Sequence, residues 1–563
     1  MTVHYRGRLL AGAAMVSLCL MSANSSDAST VWANTHTQAI VLAKATSLSA
    51  LDPAKTLRIT VALQMQNRQD LENLVRQQAT PGSASYNTHI TPAQFNATYA
   101  PNLASVQAVK NYLGGAGLRN ISVEPNRLFV SATGTTAQIE TAFNTHLASF
   151  KQKGKTVFVN TSPAQVPQAL SGIVLSVLGL NNVRATTPIT QCDISQPTCL
   201  RFSYDPPTYW KAYNVGKVTK AWKTSIAVMA EGDVSKVIPD LRIFESAMGL
   251  PQVPVSVVRV GLASPDSAGL DEWDLDTQYT TGMAGAVKTL YIYATTSLTD
   301  QDTALEFNHW ARDNLAQVAN ASFGICEFFP FLDGTMVADD QVFLEAAAQG
   351  QTMFSSTGDT GSFCPVGAAA NGVPAGAPFV NFPATSPYVI GVGGTTLITN
   401  ADASYNSEVA WYAGGGGISQ FEYSPYWQSP IIPTNNPSVP ATFRAIPDVS
   451  MDADPNTGAI VYINGQVNYF GGTSLSSPLA AGVWARLQSS YGNTLGFAGP
   501  RLYANYPAFG TAPGTPSGPT RMVDGMHDVL TGANALYTSL PYYDFTTGLG
   551  TLNVAAKRAV VPH

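Results

Sequence analysis

Between Asn181 and Pro207 the sequence is dominated by Thr, Pro, Asn and Ser and loses the periodicity that marks both flanks. Before this stretch, Leu57 to Gln64 reads as a strand and Gln69 to Gln78 as a helix. Leu103 to Leu113 reads as a second helix with Val106, Val109 and Leu113 on one side. Arg127 to Ser131 is strand-like, Thr136 to His146 helical, Val157 to Asn160 a short strand, and Pro167 to Leu180 an apolar, buried run. After it, apolar strands such as Ser225 to Ala230 and Thr289 to Ala294 alternate with helical stretches such as Ala304 to Ala316 and Gln341 to Gly350. That alternation predicts an α/β body with a parallel sheet covered by helices. The chain of 563 residues is therefore expected to hold two folded units, with the irregular stretch as linker and most exposed place to cut.

Arg6 and Arg8 precede the apolar run Leu9 to Met21, and small residues follow, with cleavage expected after Ala23, Ser25 or Ala28. This reads as a signal peptide over residues 1–28. The run is shorter than the roughly 20 apolar residues of a membrane span, and no later segment is long enough, so no membrane anchor is expected once the signal is removed. An exported chain meets an oxidising compartment, so Cys192 with Cys199 and Cys326 with Cys364 are the favoured disulfides, with connectivity open. Formal net charge is -6 and no basic run occurs, which argues against nucleic acid as a partner. Charged residues make up only 12% of the chain, against about 25% in an average soluble protein. Such a surface changes charge little on acidification, which fits work at low pH and equally fits a Thr/Asn-rich extracellular protein.

In parallel sheets the chemistry sits at the carboxyl ends of strands, and three motifs fall at such junctions. Gly471-Gly472-Thr473-Ser474 leads into a helix of small residues, Leu479 to Leu487, with Pro478 expected in its first turn and Ala480, Ala481 and Gly482 expected against the sheet. Ser474 is placed to present its hydroxyl to solvent as a nucleophile, with its own amide at the positive end of the helix dipole. The same residues suit an ordinary N-cap. Glu272-Trp273-Asp274-Leu275-Asp276 puts Glu272 and Asp276 four apart, on one helical face, where two carboxyls share a proton; a solvated acidic face has the same spacing. Asp359 stands in the glycine-rich turn Ser356-Thr357-Gly358-Asp359-Thr360-Gly361, as a turn former or, if protonated, as a hydrogen-bond donor to an oxyanion. After the linker only His309, His527 and His563 are available as a conventional base for Ser474, none in a His-Gly-Thr context.

The set Glu272, Asp276, Asp359 and Gly472-Thr473-Ser474, in that order, resembles the sedolisin family of serine-carboxyl peptidases, particularly its bacterial, pepstatin-insensitive members. Ile90-Thr91-Pro92-Ala93-Gln94-Phe95 and Val106-Gln107-Ala108-Val109 resemble the family's prodomain. The resemblance implies a subtilisin-like parallel sheet flanked by helices, preceded by a small, ferredoxin-like α/β prodomain that inhibits the enzyme and helps it fold. On this reading residues 29–188 are prodomain and linker, and residues 189–563 the peptidase domain. It implies Ser474 as nucleophile, Glu272 as general base, Asp276 as its partner and Asp359 as the oxyanion donor. Ser322 and Gly324, in Ser322-Phe323-Gly324, match the segment that pairs with substrate in β fashion. It also implies one structural calcium ion held by Asp528, Asp544 and the carbonyls of Val529, Leu540 and Tyr542, although the family usually has glycines where Leu540 and Tyr542 stand.

The expected function is that of a secreted, acid-active, monomeric endopeptidase that cuts proteins and peptides and processes its own precursor. A tripeptidyl-peptidase, an inactive peptidase-like binding protein and a neutral, histidine-dependent subtilase are the alternatives. Separate substitution of Glu272 and the histidines distinguishes the carboxylate scheme from the last two of these.

Overall fold

Thr56–Leu63 alternates β-favouring residues through TLRITVAL, and its last five residues are buried on both faces. In the computed structural model it is a central strand of a four-stranded antiparallel sheet, ordered Arg119–Val123, Phe129–Thr135, Thr56–Leu63, Val174–Leu178. The helix Leu103–Gly115 buries Val106, Val109 and Leu113, the stripe its spacing predicts. The strand expected from Arg127 begins instead at Phe129, because Arg127 itself turns the chain at φ 62. The helix expected to reach His146 ends at Ala142, ahead of the turn at Asn144, φ 42. The structure describes residues 30–41, 49–152, 155–187, 190–191, 203–364, 371, 376–432, 442–507 and 518–563. The expected signal peptide, Cys192 and Cys199 lie outside the described residues.

The larger part of the fold is an 11-stranded sheet, counted over the described residues. Its parallel run is Val255–Arg259, Leu290–Thr295, Ile226–Glu231, Val318–Ala321, Thr352–Ser356, Val389–Thr399 and Val449–Asp452. Every residue of Ile226–Glu231 and Val318–Ala321 is buried, as a sheet covered on both faces requires. The helix Thr473–Ser490 lies against the helix Leu270–Ala284. At Gly482 a β-carbon would meet the Thr280 carbonyl at 2.7 Å and Met283 Cβ at 2.8 Å, so glycine permits the approach. The helix packs on the sheet strands, as expected, and at Gly482 it also admits the neighbouring helix.

Residues Trp32–His563 form one compact unit. The described part of the linker is not the free, exposed strap its composition suggests. Asn181 is buried and donates to Asp333 (2.8 Å), Arg184 and Thr186 form antiparallel bridges with Thr299 and Gly324, and Thr190–Gln191 pairs antiparallel with Phe470–Gly471. Its polar groups are met by backbone pairing and by Asp333. Near the linker's end, Pro206–Ala212 is already helical, capped by Asp205.

Candidate active site

The turn before Thr473–Ser490 is made by two glycines. A β-carbon on Gly471 would lie 2.5 Å from the Ala453 carbonyl, and Gly472 adopts φ 96, a region that favours glycine. The helix begins at Thr473, earlier than expected, so Pro478 lies beyond its first turn. Proline has no N–H to donate to the Ser474 carbonyl four residues back, and Ser322 Oγ lies 3.4 Å from that carbonyl, with its proton directed to the closer Asp276. Ser474 is fully buried in the precursor rather than presented to solvent, and its Oγ has no hydrogen bond of ordinary geometry.

Glu272 and Asp276 lie one turn apart on the helix Leu270–Ala284, both buried. Neither Glu272 oxygen makes an ordinary hydrogen bond, yet the Ser474 hydroxyl is close enough to favour its ionised form. Burial pushes the Glu272 carboxyl well above the usual range, and the charge of Asp276 adds to this. Burial likewise raises Asp276, whose Oδ1 accepts from Ser322 Oγ at 2.6 Å. Ser322 in turn accepts from Asn320 Nδ2 (3.0 Å), and Asn320 Oδ1 accepts from Ser477 Oγ (2.6 Å). This buried chain ties the end of the strand Val318–Ala321 to both helices.

Asp359 reaches solvent only in part. Its Oδ1 accepts from the amide and hydroxyl of Thr473 (2.8 and 2.9 Å), and Oδ2 from Thr190 Oγ1 (2.9 Å). Burial lifts its pKa to about 7 against these stabilising hydrogen bonds. Gly324 exchanges two backbone hydrogen bonds with Thr186 of the linker, at 2.9 and 3.0 Å. Sequence reading brought Glu272, Asp276, Ser322, Asp359 and Ser474 forward. It quoted Thr473 in the motif without giving it a role, and it missed Thr190, Asn320 and Ser477, of which only Asn320, a lone amide in the apolar strand VANA, carried a legible signal.

Among the described residues no histidine hydrogen-bonds to Ser474, and His563 stacks on Tyr491 at 4.3 Å. His309 lies 3.3 Å from Glu124, and His527 stacks on Tyr405 at 3.8 Å. Cys326 and Cys364 are joined in a disulfide, as expected.

The expected calcium ligands are brought together in part. Asp528 Oδ2 accepts from the Tyr542 amide (2.9 Å) and Asp544 Oδ2 from the Leu540 amide (3.0 Å), so both carboxyls converge on one turn. Asp528 Oδ1 is buried without a partner, and Tyr542 holds φ 70, the conformation that suits the family's glycine. Val529 is buried on the strand Met526–Val529, beside Asp528. These features fit a hard cation. Arg521 already stands 2.7 Å from Asp528 Oδ2, however, so an ion would have to displace that guanidinium and turn the two amides away.

A buried serine at a helix N-terminus, beside a carboxyl pair and remote from histidine, on a parallel sheet flanked by helices, defines a serine peptidase of the carboxyl-assisted class. Comparison with known proteins agrees. Residues 43–183 match the model of the pro-kumamolisin activation domain, and residues 263–501 that of the subtilase family. The chain is 37% identical to sedolisin from Pseudomonas sp. (strain 101) over 95% of its own length and 93% of that protein's. It is 31% identical to xanthomonalisin from Xanthomonas sp. (strain T-22), over 95% of this chain and 73% of that one. The solved structure of Pseudomonas sedolisin, a serine-carboxyl proteinase complexed with pseudo-iodotyrostatin, superposes with a TM-score of 0.57 at 36% identity, covering 63% of this chain and 97% of that one. The chain belongs to the sedolisin family of serine-carboxyl peptidases and carries the family's activation domain.

Proposed function

We propose that this chain is the precursor of a secreted, acid-active endopeptidase in which Ser474 attacks the peptide carbonyl and Glu272 takes its proton and returns it to the leaving amine. Asp276 shares the proton and orients Glu272, while protonated Asp359 donates to the oxyanion. The observation that carries this reading is the buried grouping of Ser474, Glu272 and Asp276 without a histidine. The burial that raises Glu272 is that of the chain with its activation domain in place; once the activation domain leaves and water reaches the site, the carboxylate is usable where histidine is already protonated, and Asp359 keeps its proton only below about pH 7, so the reaction belongs to acid. Endopeptidase action is supported by the linker, whose backbone pairs at Gly324 and again at Gly471, so extended chain is held at two places near Ser474 rather than at a closed end. The activation domain, tethered by that linker, is the inhibitor. Signal residues 1–28 direct export, and among the described residues no helix is long and apolar enough to cross a membrane. Asp528, Asp544 and the carbonyls of Val529, Leu540 and Tyr542 would hold a calcium ion, clamping the C-terminal turn without entering the chemistry.

The test is to bring purified precursor from neutral pH to about pH 4, near the reference carboxylate range, beside Ser474→Ala. Wild type is expected to lose the prodomain and cleave peptides while the variant stays intact. Processing by both would remove Ser474 from the mechanism.

A further inference from the structure

The activation domain meets the peptidase domain through an imidazole as well as through its linker. The Ile90 amide donates to the Ala348 carbonyl (3.1 Å) at the end of the helix Thr335–Ala348, and Gln78 Nε2 donates to the same carbonyl (2.9 Å). Beside these bonds the half-buried His89 ring lies against two glycines of the peptidase domain. A β-carbon on Gly350 would stand 2.7 Å from His89 Cδ2, and one on Gly496 2.3 Å from Cε1, so a side chain at either place would shut the ring out.

A neutral ring suits this seat and a charged one does not. Nε2 faces the Thr494 carbonyl at 3.2 Å, so it carries the proton and donates, while Nδ1 is buried without a partner. Protonation would put a second N–H on Nδ1, where no acceptor stands, and a positive charge near the guanidinium of Arg501. Arg501 is itself buried among neutral acceptors. Nη2 donates to the Gln78 carbonyl (3.0 Å) and Asn87 Oδ1 (2.6 Å), Nη1 to Tyr86 Oη (2.9 Å) and the Pro562 carbonyl (3.2 Å), and Nε to the Leu495 carbonyl (3.0 Å). Tyr86 and Tyr426, the titratable groups that face Arg501, stay neutral in acid. The remaining groups around the ring, Val75, Ala79, Leu495, Phe497 and Pro500, carry no charge, so among the described residues no carboxylate is set against the pair.

Burial, with Arg501 adding to it, holds the His89 pKa below its ordinary value despite the Thr494 hydrogen bond, whereas in an undocked prodomain it returns to about 6.5. Docking is therefore at full strength above that value and weakens as pH falls below it, by at most about tenfold per pH unit, the limit for one proton.

We propose that His89 is an acid-released latch: neutral, it seats the activation domain between Gly350 and Gly496, and protonated, it is driven out of that seat by Arg501. The inference rests on the reading of this chain as a precursor inhibited by its activation domain, and it assigns the lifting of that inhibition in acid to a group outside the reacting carboxyls.

The experiment uses full-length precursor carrying Ser474→Ala, which is expected to stay in one piece. It follows hydrogen exchange of the Ile90 amide, corrected for the intrinsic rate, from about pH 7.5 to about pH 5, either side of the reference histidine value. Protection is expected to fall several-fold across this range with His89 in place, and to stay high in His89→Gln and in His89→Phe, neither of which can take a charge. His89→Lys, charged throughout, is expected to lack that protection already at neutral pH, with thermal melting used to confirm that each variant folds. Protection that never falls with His89 in place overturns the latch, as does full protection of His89→Lys at neutral pH. The same fall in both neutral variants would assign the opening to other interface groups, such as Asp340, whose charge faces Arg68 of the prodomain, and also overturns it. A precursor with Ser474 intact that opens as expected yet cuts no peptide leaves the latch standing and overturns the peptidase reading instead.

Discussion

Replacing Asp359 by Asn isolates the step that ties this enzyme to acid. Asn keeps a carbonyl oxygen to accept from Thr473, and its amide N–H donates at every pH, where Asp donates only while protonated. With the Asp359 pKa lifted to about 7, its protonated fraction falls to about one tenth at pH 8 and about one hundredth at pH 9. That loss of the proton sets the alkaline limb of the profile. The assay is initial-rate peptide cleavage by mature enzyme from pH 3 to 9, with each sample returned to pH 5 to show that losses are reversible. Wild-type kcat/KM is expected to fall tenfold per pH unit above the limb. Asp359→Asn is expected to be slower in acid, by about the 10²- to 10³-fold of a perturbed oxyanion donor, but level where the wild type falls. The same alkaline limb in Asp359→Asn would refute the assignment, because Asn has no proton to lose there.

Glu272→Gln is expected to lower kcat/KM by about 10² to 10⁴, the usual worth of a general base, without lowering the melting temperature, since neither Glu272 oxygen makes an ordinary hydrogen bond that the change would remove. Asp274, buried beside Asp240, has its pKa pushed to about 10 mainly by burial, against about 3.9 in an unfolded chain. Its stabilising effect is therefore complete below pH 4 and is lost as pH rises toward 10, by roughly 1 kcal/mol per unit at most, so unfolding curves across this range should flatten in Asp274→Asn. Cys364→Ser opens a disulfide that spans 38 residues and should cost about 4 kcal/mol in denaturant unfolding, a loss that reductant reproduces in the wild type. Arg521→Ala removes the guanidinium that competes at Asp528, so calcium, followed by calorimetry and by the rise in melting temperature it produces, is expected to bind that variant more tightly than the wild type.

Features whose cause lies within a few residues were legible from the chain. Four-residue spacing placed Glu272 and Asp276 on one helical face, because 3.6 residues per turn leave no other outcome once the segment is helical. The glycine pair ahead of Thr473 announced a turn that side chains would obstruct, and the Val106, Val109, Leu113 stripe announced a buried helix face. Apolar strands alternating with helices were enough to reach a parallel α/β fold. The irregular composition from Asn181 to Pro207 suggested an exposed strap, since Thr, Asn and Pro are satisfied by water as readily as by protein.

Tertiary structure decided where that strap runs and what it covers. The Thr190 hydroxyl meets Asp359 across 169 residues of sequence, and Asn181 meets Asp333 across 152, distances over which no local pattern carries information. Likewise Ser474 could be read as a serine at a helix start, but its burial comes from packing that brings two helices, a strand end and the linker together. Asn320 and Ser477 are ordinary residues until the fold sets them in line with Ser322 and Asp276. Local backbone preference thus wrote the elements and the motif spacings into the sequence. The electrostatics that make the carboxyls useful arise from desolvation, and desolvation exists only once distant segments have packed around them.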